Sequence, residues 1–589
     1  KMLLARAPLG LACRGRVVSE SARVFAARPR VCARTARAAA AATTAMASGA
    51  PAPRALVSVF DKAGMVELGQ GLAELGFEVV STGGSAKALA DAGVPVTPVE
   101  AITEFPEMLD GRVKTLHPKV HGGILARRDV PGHVEALETH DIAPIDVVIG
   151  NLYPFKATVA SGGDFAECVE KIDIGGPSML RGAAKNHAHV LVVTDPSDYS
   201  SVLEHLRGMR EGSVTPEADS SFRRTLAWKA FQHCASYDAV VAEWLWREGA
   251  AGEGALAPPP EMAVPMTLQD TLRYGENPHQ PAAFYLESSL GEMEGTGVAA
   301  ATQHHGKEMS FNNYLDSDAA FSCVSDFTEP TCVIVKHTNP CGVASVSQGV
   351  DLLEAYRLAV RADPISAFGG IVAFNCPVTE ELAKEIREFR SPTDGETRMF
   401  YEIVIAPEYT EDGLATLKGK SKTLRILEAK PRSAGGRSLR QVGGGFLMQG
   451  SDDLKPEDIE FTVVSQTQPT EEQMEDIRFA WRCVKHVKSN AITVAKGDRL
   501  LGMGSGQPNR VNSVRIALEK AGDEVEGSVL ASDAFFPFSW GDSVELACQA
   551  GVKAIVHPGG SMRDQDAIDC CDKYGVALLT TGGIRHFRH

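Results

Sequence analysis

A lysine and a histidine stand side by side at the end of an apolar run, in the stretch VIVKHTNPCG (Val333–Gly342). An ammonium and an imidazole held together can stabilise developing negative charge and move a proton, so Lys336 and His337 are candidates for acid–base chemistry. The alternative is a strand end at which both side chains simply reach water. The apolar residues before the pair predict a short buried strand over Cys332–Val335, and the Pro and Gly after it predict a break.

Two further stretches could hold an anion. DGRVKTLHPKVHGGIL (Asp110–Leu125) carries several cations and few carboxylates, in a chain whose net charge is -16. This pattern predicts a local anion-binding surface, with a solvated basic loop as the alternative. STGGSAKAL (Ser81–Leu89) is a Gly-Gly turn between a predicted strand and a predicted helix, where backbone N–H groups and hydroxyls suit a phosphate. Alone it is a weak signal, because many such turns need glycine for geometry only.

A phenol, a carboxylate and an ammonium follow other predicted strands. NLYPF places Tyr153 after an apolar run, and IDIGGPSMLRGAAKNH supplies Asp173 and Lys185. The carboxyl ends of parallel strands meet at one edge of a sheet, where such folds bind ligands. We therefore expect these side chains to converge there, although each alone has a structural explanation.

Four motifs later in the chain could bind a ring or a phosphate. RYGENPHQ offers an arginine, a tyrosine and a histidine on a loop, and SFNNYLD offers two amides for a polar heterocycle. GMGSGQPNR is a Gly-rich turn whose terminal arginine suits a phosphate. SDAFFPF gathers three phenylalanines around a proline, which predicts either core packing or stacking on a flat ring.

The elements that position these residues read as two α/β bodies. Over residues 54–247, short apolar runs alternate with amphipathic stretches, which predicts a parallel α/β sheet. Residues 248–265 are rich in Gly, Ala and Pro and read as a linker to a second body, 266–589. Val-Lys-His occurs twice in this body, at 335–337 and 484–486, which suggests two duplicated α/β units with a cleft between them. Residues 411–443 read as a less regular, exposed excursion.

Composition narrows the class of protein. The 589 residues are 44% hydrophobic and 23% charged, which is typical of a globular protein of several domains. The negative charge argues against nucleic-acid binding as the main task, and no apolar run is long enough to cross a bilayer. The twelve cysteines show no Cys-x-x-Cys or zinc spacing, which indicates reduced thiols.

The first 50 residues differ from the rest. They hold eight arginines and one lysine against a single acid, Glu20, and they are rich in Ala, Ser and Thr. This composition predicts a transit peptide over residues 1–50, for a plastid rather than a mitochondrion. The alternatives are a disordered leader, or a cytosolic protein if translation starts at Met46.

The ordered set of motifs resembles one family. GRVKTLHPKVHGGIL, NLYPF, IDIGG, AAKNHAHV, RYGENPHQ, VKHTNPCG, DPISAFGG and SDAFFPF together are similar to the bifunctional purine biosynthesis enzymes. These join AICAR (aminoimidazole carboxamide ribotide) transformylase to IMP cyclohydrolase, and the resemblance covers residues 55 to 589. It implies an N-terminal methylglyoxal-synthase-like cyclohydrolase domain. It also implies a C-terminal transformylase of two cytidine-deaminase-like α/β/α units, without the deaminase zinc.

The resemblance also implies roles for individual residues. In the transformylase site, His337 would assist deprotonation of the substrate amine, and Lys336 would donate a proton or stabilise charge. The residues implied to hold the ribotide or the folate are Arg273, Tyr274, His279, Asn313, Asp363, Gln507, Arg510, Phe535 and Arg585. The residues implied to be catalytic in the cyclohydrolase site are Lys114, Tyr153, Asp173 and Lys185. Those implied to bind substrate there are Ser58, Lys62, Ser81, Thr82, Gly83, Gly84, Ser85, Arg112 and Thr115.

The implied reactions are formyl transfer from the cosubstrate 10-formyltetrahydrofolate to AICAR, and then dehydrative ring closure to IMP. The implied protein is a homodimer with a transformylase site shared between subunits, and it requires no metal, membrane or nucleic acid. Two alternatives are a monofunctional transformylase whose first domain senses a nucleotide, and a scaffold descended from the enzyme. The intact sets of candidate catalytic residues argue against both. Two departures from the family pattern are Phe60, in place of a hydroxyl, and Ser539-Trp540, in place of Arg-Asp.

Overall fold

The computed structural model describes residues 52–109, 111–249, 258–288, 295–419, 421–432 and 435–589. These residues form two compact units. The first contains the described residues up to Pro154 together with Val169–Cys234, and the second contains Phe155–Cys168 and Ala235–His589. The predicted leader, residues 1–50, lies outside the described residues, as do residues 250–257 of the predicted linker.

The first unit is built on a five-stranded parallel sheet in the order β3-β2-β1-β4-β5. The strands are β1 (Arg54–Ser58), β2 (Glu78–Ser81), β3 (Val96–Pro98), β4 (Val147–Gly150) and β5 (Leu191–Val193). The helices along this part of the chain are α1 (Met65–Glu74), α2 (Gly83–Asp91), α3 (Val99–Thr103), α4 (Pro118–Leu125), α5 (Pro131–Thr139), α6 (Phe155–Ala160), α7 (Phe165–Glu170), α8 (Gly175–Lys185), α9 (Tyr199–Glu211) and α10 (Pro216–Gly249). The central strands are short runs of buried aliphatic residues, as expected where helices cover a parallel sheet, and the predicted alternation is confirmed.

The strand order of this sheet changes direction between β1 and β4. From β1 the chain adds β2 and β3 on one side, and β4 and β5 extend the sheet on the other side. The loops that leave the carboxyl ends of β1 and β4 therefore diverge, and open α/β sheets bind ligands in the resulting crevice. These loops follow Ser58 and Gly150, so they carry several of the candidate residues.

Two six-stranded mixed sheets form the body of the second unit, in the orders β10-β9-β11-β12-β13-β8 and β18-β17-β19-β20-β21-β16. Two hairpins, β6-β7 and β14-β15, complete its strands. The strands are β6 (Met266–Leu272), β7 (Ala282–Glu287), β8 (Thr302–His305), β9 (Thr331–Lys336), β10 (Asn339–Ser345), β11 (Gly370–Phe374), β12 (Tyr401–Ala406), β13 (Arg425–Glu428), β14 (Arg437–Val442), β15 (Gly445–Gly450), β16 (Thr462–Val463), β17 (Ile492–Ala495), β18 (Leu500–Gly504), β19 (Val529–Ser532), β20 (Ala554–His557) and β21 (Ala577–Thr580). The helices are α11 (Phe311–Ser325), α12 (Leu352–Ala362), α13 (Pro364–Ala367), α14 (Glu380–Glu388), α15 (Glu411–Lys418), α16 (Glu471–Lys485), α17 (Arg510–Ala521), α18 (Ser543–Ala550) and α19 (Asp564–Tyr574).

The two sheets repeat one pattern, which confirms the predicted duplication. In each half a 15-residue helix, α11 or α16, leads into an antiparallel hairpin. The first strand of the hairpin then pairs antiparallel with a third strand, which begins a parallel run. Both helices lie in one apolar layer that takes residues from both sheets. The two halves therefore share a core on that side.

The two Val-Lys-His copies do not mark this repeat, so that part of the prediction is wrong. Val335-Lys336 ends strand β9, whereas Val484-Lys485 ends helix α16, and His486 is the helix C-cap. A three-residue match says nothing about the element that contains it. The physical counterpart has to be found from strand pairing.

Strand pairing identifies the counterpart of the Lys-His pair. The β9 residue before Lys336 lies opposite the start of β11, and the last residue of β17 lies opposite the start of β19. Lys336 therefore corresponds to Lys496, and His337 corresponds to Gly497. The second half keeps the lysine and lacks the imidazole.

The prediction of an exposed excursion over residues 411–443 is wrong for its first half. This segment contains helix α15 and strand β13, which pairs between β12 and β8 inside the first mixed sheet. The hairpin β14-β15, in contrast, exposes Phe446 and Leu447.

Candidate active sites

The first candidate site lies at the carboxyl ends of β1 and β2. Ser58 Oγ and Thr82 Oγ1 are 3.0 Å apart, across these neighbouring strands. Ser81 and Ser85 are buried, and their hydroxyls donate to backbone carbonyls of β1 and of the residue that follows it. These two serines, predicted as phosphate ligands, thus fasten the turn to β1. The backbone N–H groups at the start of α2 remain as donors for an anion.

Two lysines reach the two glycines of this turn. A Cβ added to Gly83 would meet Lys114 Nζ at 2.9 Å, and one added to Gly84 would lie 3.7 Å from Lys62 Nζ. Gly83 has a φ of 39°, which residues with side chains rarely adopt. Two ammonium groups beside the first turn of a helix make a site for a phosphate or a similar anion.

Acidic side chains from outside the basic stretch pair with its cations. These ion pairs include Arg112–Glu170, Lys114–Glu107 and Lys119–Glu104. The stretch itself contains few carboxylates, as predicted, but acids from elsewhere in the chain pair with its cations, and its role as an anion-binding surface stays a prediction. The fold brings these acids from the end of α7 and from the segment after α3. A substrate phosphate would have to displace Glu107 to gain the full charge of Lys114.

Asp173 caps the start of α8. Its Oδ1 accepts a hydrogen bond from the Gly176 N–H at 2.8 Å, and a Cβ on Gly176 would come within 2.6 Å of the same carboxylate. Burial raises the pKa of Asp173, although hydrogen bonds from the Gly176 and Tyr153 N–H groups act in the opposite direction. Thr115 Oγ1 would lie 3.0 Å from a Cβ on Gly175. The loop after β4, the basic stretch and α8 thus meet at one place.

Phe60 lies against the candidate phenol. The Phe60 and Tyr153 rings meet edge to face, with centroids 5.8 Å apart, and both side chains are about half exposed. The backbone N–H of Phe60 also donates to Asn151 Oδ1 at 2.6 Å. The Phe60 ring therefore packs against the edge or face of the Tyr153 ring.

The structure brings Lys114, Tyr153 and Asp173 to one place, whereas Lys185 lies at the other end of α8 from Asp173. Lys185 is the last of the 11 residues of α8, and Asp173 lies just before its first. At about 1.5 Å of rise per residue, the two ends of this helix are about 15 Å apart. Lys185 is also exposed. Its catalytic role stays a prediction for which this geometry offers no explanation.

The second candidate site is the hairpin turn between β9 and β10. Lys336 ends β9, and its Nζ donates to the carbonyl of Gly369 at 2.8 Å. His337 and Thr338 have φ values of 50° and 61°. Two-residue hairpin turns with positive φ at both positions normally use Asn or Gly, and a β-branched residue there is an outlier. Strained backbone of this kind collects at functional sites.

Two side chains that sequence reasoning missed hold this turn. Asp316 Oδ1, from α11, accepts the Thr338 N–H at 2.7 Å. Asn339 Oδ1 accepts the Lys488 N–H at 3.0 Å and so joins the turn to the second half. Asp316 ends the SFNNYLD motif, but an acid in an amphipathic helix usually faces water. The residue type therefore gave no signal.

Arg510 is buried at the start of α17 among acceptors of the protein itself. It donates to Asn490 Oδ1 at 2.6 Å and to Ser532 Oγ at 2.9 Å, and it forms an ion pair with the buried Asp533. Asn490 Nδ2 donates in turn to the Gln507 carbonyl at 2.8 Å. The guanidinium thus makes its hydrogen bonds to groups of the protein itself. Its role as a phosphate ligand stays a prediction.

Arg585 and Phe535 lie together beside a cavity. The guanidinium stands 5.3 Å from the centroid of the Phe535 ring, and a Cβ on Gly560 would lie 3.6 Å from Arg585 Nη2. Gly560 lines a cavity of about 380 Å³ at the carboxyl ends of β20 and β21. Of the other phenylalanines in SDAFFPF, Phe536 is in the core and Phe538 is 53% exposed. The three rings therefore do not form one stacking platform.

The turn between β6 and β7 carries the candidates Arg273, Tyr274 and His279. The Arg273 guanidinium lies 5.7 Å from the centroid of the Tyr274 ring. Asn312 Nδ2 donates to the Glu276 carbonyl at 3.3 Å and so ties this turn to the start of α11. Asn313 forms a capping box with the residue before that helix, so its amide serves the helix end.

Asp363 lies between α12 and α13, shortly before the loop that accepts the Lys336 ammonium. Its carboxylate accepts hydrogen bonds from Lys520 Nζ at 2.8 Å and from Ser366. Burial raises the pKa of Asp363, but the hydrogen bonds from Lys520 and Ser366 outweigh burial and the pKa is lowered. Asp363 is therefore an anion whose contact with folate stays a prediction.

Comparison with known proteins decides the family. Residues 183–520 match the family described as the AICARFT/IMPCHase bienzyme, and residues 64–178 match the MGS-like domain. The chain belongs to the AICARFT/IMPCHase bienzyme family. The predicted α/β fold, with an MGS-like first domain, is confirmed.

Two curated relatives span almost the whole chain. The bifunctional purine biosynthesis protein PurH of Listeria monocytogenes serotype 4b (strain CLIP80459) is 48% identical over 538 residues, which cover 91% of this chain and 100% of the relative. PurH of Rhodospirillum rubrum (strain ATCC 11170) is 48% identical over 552 residues, 92% of this chain and 99% of the relative. The crystal structure of ForH covers 33% of this chain at 39% identity with a TM-score of 0.29.

Two further findings concern the part of the chain that the structure describes. Within those residues, no cluster of three or more His, Cys, Asp or Glu side chains is placed to hold a metal ion. None of the helices described there is both long enough and apolar enough to span a membrane.

Proposed function

We propose that this chain carries both activities of its family. It transfers a formyl group from 10-formyltetrahydrofolate to AICAR, and it then closes formyl-AICAR to IMP with loss of water. The observation that carries this proposal is the 48% identity to proteins named bifunctional PurH over 91% of the chain. That span includes both units, so the bifunctional interpretation is favoured over a lone transformylase with a sensing domain.

Formyl transfer is assigned to the turn that holds Lys336 and His337. The amine of AICAR is conjugated to the imidazole ring and is a weak nucleophile, so it needs to lose a proton as it attacks the formyl carbon. His337, in a left-handed conformation at the tip of the turn, accepts that proton, directly or through the neighbouring carboxamide. Lys336 stabilises charge on the formyl oxygen or protonates the departing folate nitrogen. Arg273, Asp363 and Arg585 are among the residues assigned to hold the two substrates.

Ring closure is assigned to the crevice of the first unit. The carboxamide nitrogen of formyl-AICAR attacks the formyl carbon, and water leaves. The α2 N-terminus with Lys62 and Lys114 anchors the anionic end of the substrate. Asp173 and Tyr153 are assigned to proton transfer, because burial raises the pKa of the Asp173 carboxyl toward the range useful for acid–base catalysis.

The test is to incubate the purified protein with AICAR and 10-formyltetrahydrofolate and to follow formation of IMP. We expect IMP to accumulate. Accumulation of formyl-AICAR without IMP would show that the protein is a monofunctional transformylase. No turnover at all, in a folded protein, would favour the scaffold alternative.

We also propose that residues 1–50 direct the protein to a plastid, on the basis of their Arg- and Ala-rich composition. Deletion of residues 1–50 should leave both catalytic rates unchanged and move the protein to the cytosol. The measurement is fluorescence imaging of the full-length and truncated chains in plant cells, with residues 1–50 fused to a fluorescent protein as control. Import of the truncated chain into an organelle would contradict the proposal.

We further propose a homodimer whose transformylase site uses both subunits, as the family resemblance implies. The hairpin β14-β15 supports this, because Phe446 and Leu447 are 67% and 60% exposed in the single chain. Dilution below the dimer dissociation constant should therefore reduce formyl transfer per subunit and leave ring closure intact, since a shared site exists only in dimers. The measurement is both activities against protein concentration, beside sedimentation. Constant formyl transfer per subunit, while the dimer dissociates, would contradict the shared site.

A further inference from the structure

The β17–β18 hairpin is the counterpart of the β9–β10 hairpin, so its turn can be compared directly with the Lys336-His337 turn. The counterpart hairpin, between β17 and β18, also places two consecutive residues at positive φ, Gly497 at 61° and Asp498 at 53°. Gly and Asp are residues that tolerate this conformation. The first hairpin uses His337 and Thr338 instead, so the same backbone is strained only in the half that carries the imidazole.

One carboxylate holds each turn, from the same place in each half. Asp316 is the sixth residue of α11, and Asp476 is the sixth residue of α16. Asp316 Oδ1 accepts the Thr338 N–H at 2.7 Å, and Asp476 Oδ1 accepts the Asp498 N–H at 3.2 Å. The contact is therefore part of the repeated scaffold and is shorter where the turn is strained.

Asp316 lies close to Lys336 and His337. Burial raises the pKa of its carboxyl, while the Thr338 N–H and the charges of His337 and Lys336 lower it. The Asp316 carboxylate can affect formyl transfer without contacting the substrate, because it binds the backbone of the residue that follows His337. Its loss would free the turn to leave the left-handed region.

We propose that Asp316 is a positioning residue for formyl transfer, whose carboxylate fixes the Thr338 N–H and thereby holds His337 at the substrate amine. This inference rests on the proposed role of His337. Asp476 is the matched control for Asp316, because it makes the same backbone contact to a turn that has no imidazole.

The test compares Asp316→Ala with Asp476→Ala in the full-length chain. We expect Asp316→Ala to lower kcat for formyl transfer by about 100-fold with little change in KM for AICAR, because a displaced catalytic group costs about this much. Asp476→Ala should lower Tm to a similar degree and leave formyl transfer nearly unchanged. Ring closure of supplied formyl-AICAR reports in both variants whether the protein is folded.

Two further variants separate positioning from a general loss of structure. Asp316→Asn keeps an oxygen that accepts the Thr338 N–H, so it should restore most of the activity. Thr338→Gly added to Asp316→Ala should also restore part of it, because glycine holds positive φ without the clamp. Equal losses in Asp316→Ala and Asp476→Ala, or an Asp316→Asn variant as slow as Asp316→Ala, would overturn the inference. The proposed role of His337 is tested separately, with the His337→Ala variant. If that variant retains formyl transfer, the role of His337 is wrong, whatever the Asp316 variants show.

Discussion

Replacement of His337 by alanine should lower formyl transfer by about 10³-fold and leave ring closure of supplied formyl-AICAR unchanged. The AICAR amine cannot attack efficiently while it keeps its proton, and His337 is the titratable group at the tip of the β9–β10 turn. Ring closure is assigned to the other unit, on different residues. The measurement is steady-state kinetics of each half-reaction with its own substrate.

Lys336→Ala tests the second member of the pair. The rate of formyl transfer should fall by at least about 10²-fold in this variant, which corresponds to about 2.7 kcal/mol of transition-state stabilisation. Lys496→Ala is the matched control, because Lys496 occupies the same position in the second sheet and its Nζ donates to the Glu526 carbonyl at 2.9 Å. The control should retain full activity. A loss of both half-reactions in folded Lys336→Ala or His337→Ala protein would show that the sites are not separate.

The sequence predicted the elements of this protein better than the partners of its side chains. Apolar runs predicted the alternation of strands and helices in the first unit and strand β9 in the second, because burial acts locally along the chain, whereas Pro340 and Gly342, predicted to break the chain, lie within β10. The duplication was also predicted, but from the wrong residues. Val484-Lys485 belongs to a helix, and only strand pairing shows that Lys496 is the counterpart of Lys336.

Three features of the sites depend on contacts that no local pattern contains. Arg510 is paired with Asp533, 23 residues further along the chain. Arg112 is paired with Glu170, which a basic stretch read alone cannot reveal. Asp173 and Lys185 occur in one motif, yet they lie at opposite ends of α8. In each case the tertiary fold decides which polar groups meet.

Lys114→Ala should lower the rate of ring closure by about 10²- to 10³-fold and leave formyl transfer unchanged. The Lys114 ammonium lies at the α2 N-terminus, close to Gly83, where it would bind the substrate's anion and polarise the reacting groups. Lys119→Ala is the matched control from the same basic stretch, because the Lys119 ammonium pairs with Glu104 at 2.8 Å and is not among the neighbours of the glycines at the start of α2. The control should lose less than about threefold, as expected for a surface ion pair.

Asp173→Asn should lower the rate of ring closure as much as Lys114→Ala does, while the protein remains folded. Asparagine is as good a helix cap as aspartate, so its side-chain oxygen can still accept the Gly176 N–H and the start of α8 should persist. What the substitution removes is the carboxyl group that can exchange a proton during loss of water. The measurements are the rate of IMP formation from formyl-AICAR and the Tm of each variant. Full ring closure by Asp173→Asn, at an unchanged Tm, would reduce Asp173 to a helix cap and leave Lys114 and Tyr153 to carry the proton transfers of this crevice.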